Sequence, residues 1–163
     1  MAKTEGKQVW EDFEAHLKDH PEIRLLTEEE LSNLRIKNGK SHKKEKDWAE
    51  ITALLKESFL LVCQPTAENR YVKTVDHLME FGGNLLAFTN LQDMLHYLQN
   101  LGAFLEEQGV DSMPVTFGTL PFADVIAIAD SRGKNVSIDD PGEKNVPFLR
   151  YTPENASLNT MYW

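Results

Sequence analysis

The most constraining stretch of this sequence is a short apolar run that enters a helix through one polar step. Leu85-Leu-Ala-Phe-Thr89 has the length and composition of a buried strand. Asn90 follows, a residue suited to capping a helix, and Asp93 lies three positions on beside the positive helix start. Leu91, Met94, Leu95, Leu98, Leu101 and Leu105 then form one continuous stripe, with Gly109 as the stop. A buried strand feeding directly into an amphipathic helix requires a sheet with helices packed on it.

The neighbouring segments extend this pattern. Asp47 is placed to cap a helix whose apolar face is Trp48, Ile51, Leu54 and Leu55. Phe59-Leu-Leu-Val-Cys63 reads as a second buried strand, stopped by Gln64-Pro65. Tyr71 to Val75 alternates as an edge strand does, and Phe81-Gly-Gly-Asn84 reads as a turn. Val115 to Thr119 reads as another strand. Pro121 opens a helix carrying Val125, Ile126, Ile128 and Ala129 on its buried side, and Gly133 ends it. Val136-Ser-Ile138 is a short strand running into the turn Asp139-Asp-Pro-Gly142, and Pro147 to Tyr151 returns as an extended piece. The expected fold is α/β or α+β, with a mixed sheet of about four to six short strands and packed helices.

Ahead of this lies a helical arm. Trp10, Phe13 and Leu17 share one face of a helix from Val9 to Lys18, which Pro21 ends. Thr27 and Glu30 have capping-box spacing, and the helix they open places Leu31, Leu34 and Arg35 inward before Gly39. The lysine-rich stretch up to Asp47 reads as a solvated linker. The expected organisation is a helical extension with linker over 1–46 and an α/β domain over 47–163.

Charge narrows the partners. The net charge is −9, and residues 49–163 carry 15 acidic against 7 basic side chains. An acidic body repels phosphate backbones, so nucleic acid is not an expected partner; a protein partner or self-association is. The beginning MAKTEGKQVWEDF has no apolar signal core, and no run approaches the length of a membrane span. These features, with Cys63 as the one cysteine, predict a cytoplasmic location and no membrane partner.

Motifs for chemistry are missing at the level of sequence. There is no P-loop, no G-x-S-x-G elbow, and Gly82-Gly83 opens a strand rather than a helix. Cys63 sits in an apolar run, unlike an activated thiolate. His16 and His20 have metal-pair spacing, but Pro21 ends the helix there. His77 beside Asp76, and His96 three residues after Asp93, read as surface contacts that become catalytic only if a cleft gathers carboxylates around them. No catalytic residue and no cofactor is assigned. The place that invites a ligand is the end of the Val136–Ile138 strand. There Asp139, Asp140 and Glu143, with Arg150 and Tyr151 from the following strand, form the expected partner or ligand site. The alternative to a protein-interaction or regulatory module is a small-molecule or metal-binding domain at this turn. The tail ends in Tyr162-Trp163, rings suited either to docking on the chain's own core or to an interface.

Three segments carry a family resemblance: WAEITALLKESFLLVCQP, NLLAFTNLQDMLHYL and LPFADVIAIADSRGKNVSIDDPGE. From Trp48 to Tyr151, about 100 residues, the chain resembles the SseB N-terminal domain family of bacteria. The Phe88-Thr89 step and the Ile138-Asp-Asp-Pro-Gly142 step are its most specific parts. The resemblance implies an α/β domain and no established active site, so no residue role is carried over. The helical extension departs from the family pattern.

Overall fold

The computed structural model describes residues 2–111 and 115–163. Its helices are α1 (Ala2–Asp19), α2 (Glu28–Asn38), α3 (Glu45–Lys56), α4 (Leu91–Glu107) and α5 (Phe122–Arg132). Its strands are β1 (Phe59–Pro65), β2 (Val72–Val75), β3 (Leu78–Phe81), β4 (Asn84–Phe88), β5 (Val115–Pro121), β6 (Asn135–Ile138), β7 (Phe148–Thr152) and β8 (Ser157–Met161). All eight strands join one mixed sheet, so the architecture is mixed α/β with helices at its N-terminal end.

β4 organises the sheet. One edge pairs in parallel with β6, from Asn84 opposite Asn135 to Ala87 opposite Ile138. The other edge is shared between two antiparallel strands. β3 takes Asn84 and Leu85, and β1 takes Ala87 and Phe88. β1 continues outward to β5, while β7 and β8 extend the sheet beyond β6.

Both faces of the sheet are covered, which is why the central strands read as unbroken apolar runs. On one face Leu60, Val62, Leu85, Ala87, Val136 and Ile138 pack with Leu34, Ile51, Leu55, Phe122, Val125 and Ala129 from α2, α3 and α5. On the other, Leu61, Cys63, Leu86 and Phe88 pack with Phe13 of α1 and the Leu91, Met94, Tyr97, Leu101 and Leu105 stripe of α4. The alternation along β1 and β4 follows from the two-residue period of a strand. Phe13 and Leu34 therefore place the N-terminal helices in the same two cores as the rest of the chain. The lysine-rich connection is tied down as well. Lys37 pairs with Glu50, Lys40 Nζ lies 2.9 Å from Asp47, and Lys43 sits over the Trp48 ring.

The helix starts obey local chemistry. Glu30 N–H donates to Thr27 Oγ1 at 3.1 Å and Thr27 N–H to Glu30 Oε1 at 3.0 Å, a complete capping box. Asp93 N–H donates to Asn90 Oδ1 at 2.9 Å. Asp47 lies inside α3 rather than before it, and its carboxylate accepts the Lys44 N–H at 3.0 Å. Two bonds, from Lys40 and from the Lys44 amide, hold that carboxyl below its ordinary range.

The sheet has two strands more than expected at most, and both were hidden for physical reasons. β3 follows β2 through a hairpin whose turn residues, Asp76 and His77, adopt positive φ of 48° and 69°. Glycine or asparagine usually signals such a turn, and neither is present. β8 carries Asn159 and Thr160 between half-buried Leu158 and Met161, so its apolar alternation is weak. Arg35, expected inward on α2, is exposed. It turns toward α4 instead.

Candidate functional site

The two sequence signatures, the β4-to-α4 step and the acidic turn after β6, are bonded to each other. The parallel pair β4–β6 ends at Phe88 and Ile138, and the chains diverge there. Asp139 takes a left-handed φ of 59°, which a short polar side chain tolerates better than most. Its N–H donates to Ala87 O at 3.0 Å. Its carboxylate accepts the Thr89 N–H at 2.7 Å and the Thr89 hydroxyl at 2.6 Å. Asp139 thus pins the entry to α4 from the neighbouring strand. Burial, reinforced by Asp93, outweighs the two Thr89 hydrogen bonds and pushes the Asp139 carboxyl up to about 7.

Outside this clamp lies a crevice of about 280 Å³. Its apolar walls are Leu34, Ile138, Val146, Pro147, Phe148 and Leu149; its polar rim is Arg35, Asn38, Asp93 and Asp139. Most of that polar chemistry is engaged internally. Arg35 donates to both Asp93 oxygens at 3.3 Å, and Asn90 Nδ2 donates to Asp93 at 2.9 Å. Thr160 of β8 donates to Asn38 Oδ1 at 2.7 Å, tying α2 to the far edge of the sheet. The crevice stands at the carboxyl ends of a parallel pair, the usual ligand position in an α/β sheet. Its walls are those of an apolar slot.

The five residues expected to form a site are dispersed, except that Arg150 lies near enough to Asp140 for its charge to favour that carboxylate. Asp139 lines the crevice. Asp140 is buried on the other side of the turn, where one oxygen accepts the Gly142 N–H at 2.8 Å and the Trp163 Nε1–H at 2.7 Å. Its carboxyl is raised by burial. Glu143 points outward and meets His96 at 2.6 Å, with both side chains partly exposed. Arg150 and Tyr151 are consecutive on β7 and so project from opposite faces. Tyr151 lies in the α2, α3 and α5 core with its hydroxyl on Asp130 at 2.7 Å, and burial together with Asp130 pushes it up to about 12. Arg150 projects from the other face, and its Nε is buried with no hydrogen-bond partner.

The candidate catalytic groups stay apart too. Asp76 is held by Arg132 at 2.6 and 3.0 Å, and His77 beside it is exposed. His16 and His20 do approach, with ring centroids 4.7 Å apart, and His16 Nε2 lies 3.4 Å from Thr119 Oγ1. Among the described residues, no group of three histidine, cysteine or carboxylate side chains converges to hold a metal ion. Cys63 is buried, and burial pushes its thiol up to about 12. No described helix is long and apolar enough to cross a membrane.

A second hollow, of about 310 Å³, opens on the other side of the acidic turn, between α4 and Trp163. Sequence reasoning placed only leucines and Met94 on the α4 stripe. Tyr97, three residues after Met94 and four before Leu101, is buried there and lines this hollow. Its spacing was the available signal. Trp163 combines a hydrogen bond to buried Asp140 with 57% exposure. The tail thus docks by an edge rather than by burial.

Compared with known proteins, the chain matches no family model, no curated protein and no solved structure.

Proposed function

We propose that this chain is a non-enzymatic protein-interaction module, cytoplasmic and of the SseB N-terminal-domain type, that receives an apolar side chain of a basic protein partner in the crevice beside Asp139. The observation that carries this reading is the contrast between the crevice's walls and its rim. The walls are aliphatic and aromatic, and Val146 is 37% exposed on them. The rim carboxylates are already committed, Asp139 to Thr89 and Asp93 to Arg35 and Asn90. Groups bound in this way hold a surface in shape rather than attack a substrate. An apolar slot inside a polar rim is the anatomy of an interface hot spot. The net charge of −9 favours a basic partner and a salt-sensitive association rate.

A photo-crosslinking residue at Val146, with a control at exposed Ala127 on α5, tests the proposal in cells. The expected result is a defined protein adduct at 146 and none at 127. The adduct yield falls as salt rises and is lost when the purified partner is offered to Val146→Glu carrying the crosslinker at the adjacent Pro147. Equal labelling at both positions, or none at 146, overturns it.

A further inference from the structure

We propose that the hollow between α4 and Trp163 is a binding site for a small, uncharged aromatic molecule of one or two rings bearing one hydrogen-bonding group, such as a phenol or an indole. This goes beyond the interaction reading, because it concerns a different cavity and a different class of ligand.

The size and surface of the hollow set the class. Its volume of about 310 Å³ is roughly twice that of a cavity known to hold benzene. Phe81, Leu101, Phe104 and Trp163 supply its apolar surface. Phe81 meets Phe104 edge to face at 5.8 Å, so their rings are already fixed in the geometry that aromatic pairs prefer. No charged side chain lines the hollow. The chain as a whole is acidic, which disfavours an anion.

Two polar groups give the site its orientation. Tyr97 is only 4% exposed, and its hydroxyl has no hydrogen-bond partner among the described residues. Among the described residues, the side-chain atoms that are both sealed and unpartnered are Asn69 Nδ2 and Arg150 Nε. The Tyr97 hydroxyl is therefore not sealed in protein, and Tyr97 is one of the residues that line this hollow. Burial raises the phenol's pKa, so it remains a neutral hydroxyl able to donate or accept. Asn100 is fixed by its amide nitrogen, which donates to Pro141 O at 3.0 Å and Gly142 O at 3.4 Å. Its Oδ1 is left as an acceptor. A ligand hydroxyl that meets the Tyr97 hydroxyl exchanges a water hydrogen bond for a protein one, a net gain of about 1 kcal/mol, or about fivefold in affinity. Trp163 forms the outer wall. One bond to Asp140 holds its indole, while more than half of its surface faces solvent.

The test is a titration of the full chain with 2-naphthol, followed by amide and indole NMR signals, with naphthalene and 2-naphthoate as controls. The expected result is saturable binding of 2-naphthol that shifts the Trp163 indole and Asn100 side-chain signals. Tyr97→Phe weakens 2-naphthol about fivefold, the value of one neutral hydrogen bond, and leaves naphthalene unchanged. Leu101→Trp, which fills the hollow, abolishes binding. If that variant fails to fold, the isosteric Tyr97→Phe alone decides. Shifts that do not saturate, equal affinity for wild type and Tyr97→Phe, or preference for the anion 2-naphthoate overturns the proposal. Val146→Glu leaves 2-naphthol binding intact, so failure at the crevice and failure here are separable.

Discussion

The turn after β6 divides two hollows of similar size, both with apolar walls but with different polar groups. On one side the crevice has its carboxylates bound internally and offers aliphatic walls. On the other, the aromatic hollow is lined by Tyr97, whose hydroxyl has no partner among the described residues. The division begins with two adjacent aspartates. The left-handed backbone at Asp139 sends its carboxylate to Thr89, and Asp140 turns the other way to Gly142 and Trp163. Neighbours in sequence therefore serve different structures, and a cluster of acidic letters is not a cluster of acidic groups.

The largest expected effect tests whether the crevice wall is also core. Leu34 is 2% exposed and lines the crevice from α2. Leu34→Ala should cost about 2–5 kcal/mol by denaturant unfolding, as leucine truncation does in a packed interior. It should do so in a single transition with the sheet. A second, separate transition for α1 and α2 would show that the N-terminal helices are an appendage after all.

Next in size is the clamp itself. Asp139→Ala leaves the Thr89 N–H without its acceptor, and a buried unsatisfied donor costs about 1–3 kcal/mol. Asp139→Asn keeps an acceptor and costs less. The same residue sets a pH signature. Its folded-state pKa, about 7, is raised above the ordinary carboxylate value, so the native state holds a proton that the unfolded chain has released. Its contribution is complete below about pH 4 and declines as pH rises to about 7. Asp47, Glu30 and Glu50 have lowered values and act in the opposite sense at lower pH. The difference between the wild-type and Asp139→Asn stability curves isolates Asp139: wild type should lose ground to the variant between pH 4 and 7. A flat difference would mean that the clamp is ionised throughout.

How much of this was legible follows from where the information lay. The strands β1, β4 and β6, the α4 cap and the Thr27–Glu30 box rest on local pattern, and local pattern carries them. β3 was not legible because Asp76 and His77 adopt positive φ without the glycine that signals it. The candidate site was half legible. Asp139 lines the crevice, whereas Arg150 and Tyr151, read with it in the sequence, face opposite ways because successive strand residues do. Arg35 and Asp93 are 58 residues apart, and only the fold brings them together.

Trp163→Ala compares the hollows from the other side. The ring is 57% exposed, so its removal should cost under about 1 kcal/mol, mostly through the lost bond to Asp140. The crevice should be unaltered and the aromatic hollow should lose a wall, weakening 2-naphthol while Val146 crosslinking persists.

The smallest effect is the most discriminating. Val146→Glu alters an exposed residue away from the core, so unfolding stability should stay within about 0.5 kcal/mol of wild type. If melting is unchanged but the aromatic hollow also loses 2-naphthol, the two hollows are not independent. The coupling would have to pass through the turn they share, because Pro141 lines one, Gly142 the other, and Asn100 Nδ2 donates to the carbonyls of both. One ligand could then bias the other by shifting that turn. If 2-naphthol binding is untouched, Asp139 and the Asn100 bonds hold the turn as a rigid partition, and the chain carries two separate recognition surfaces.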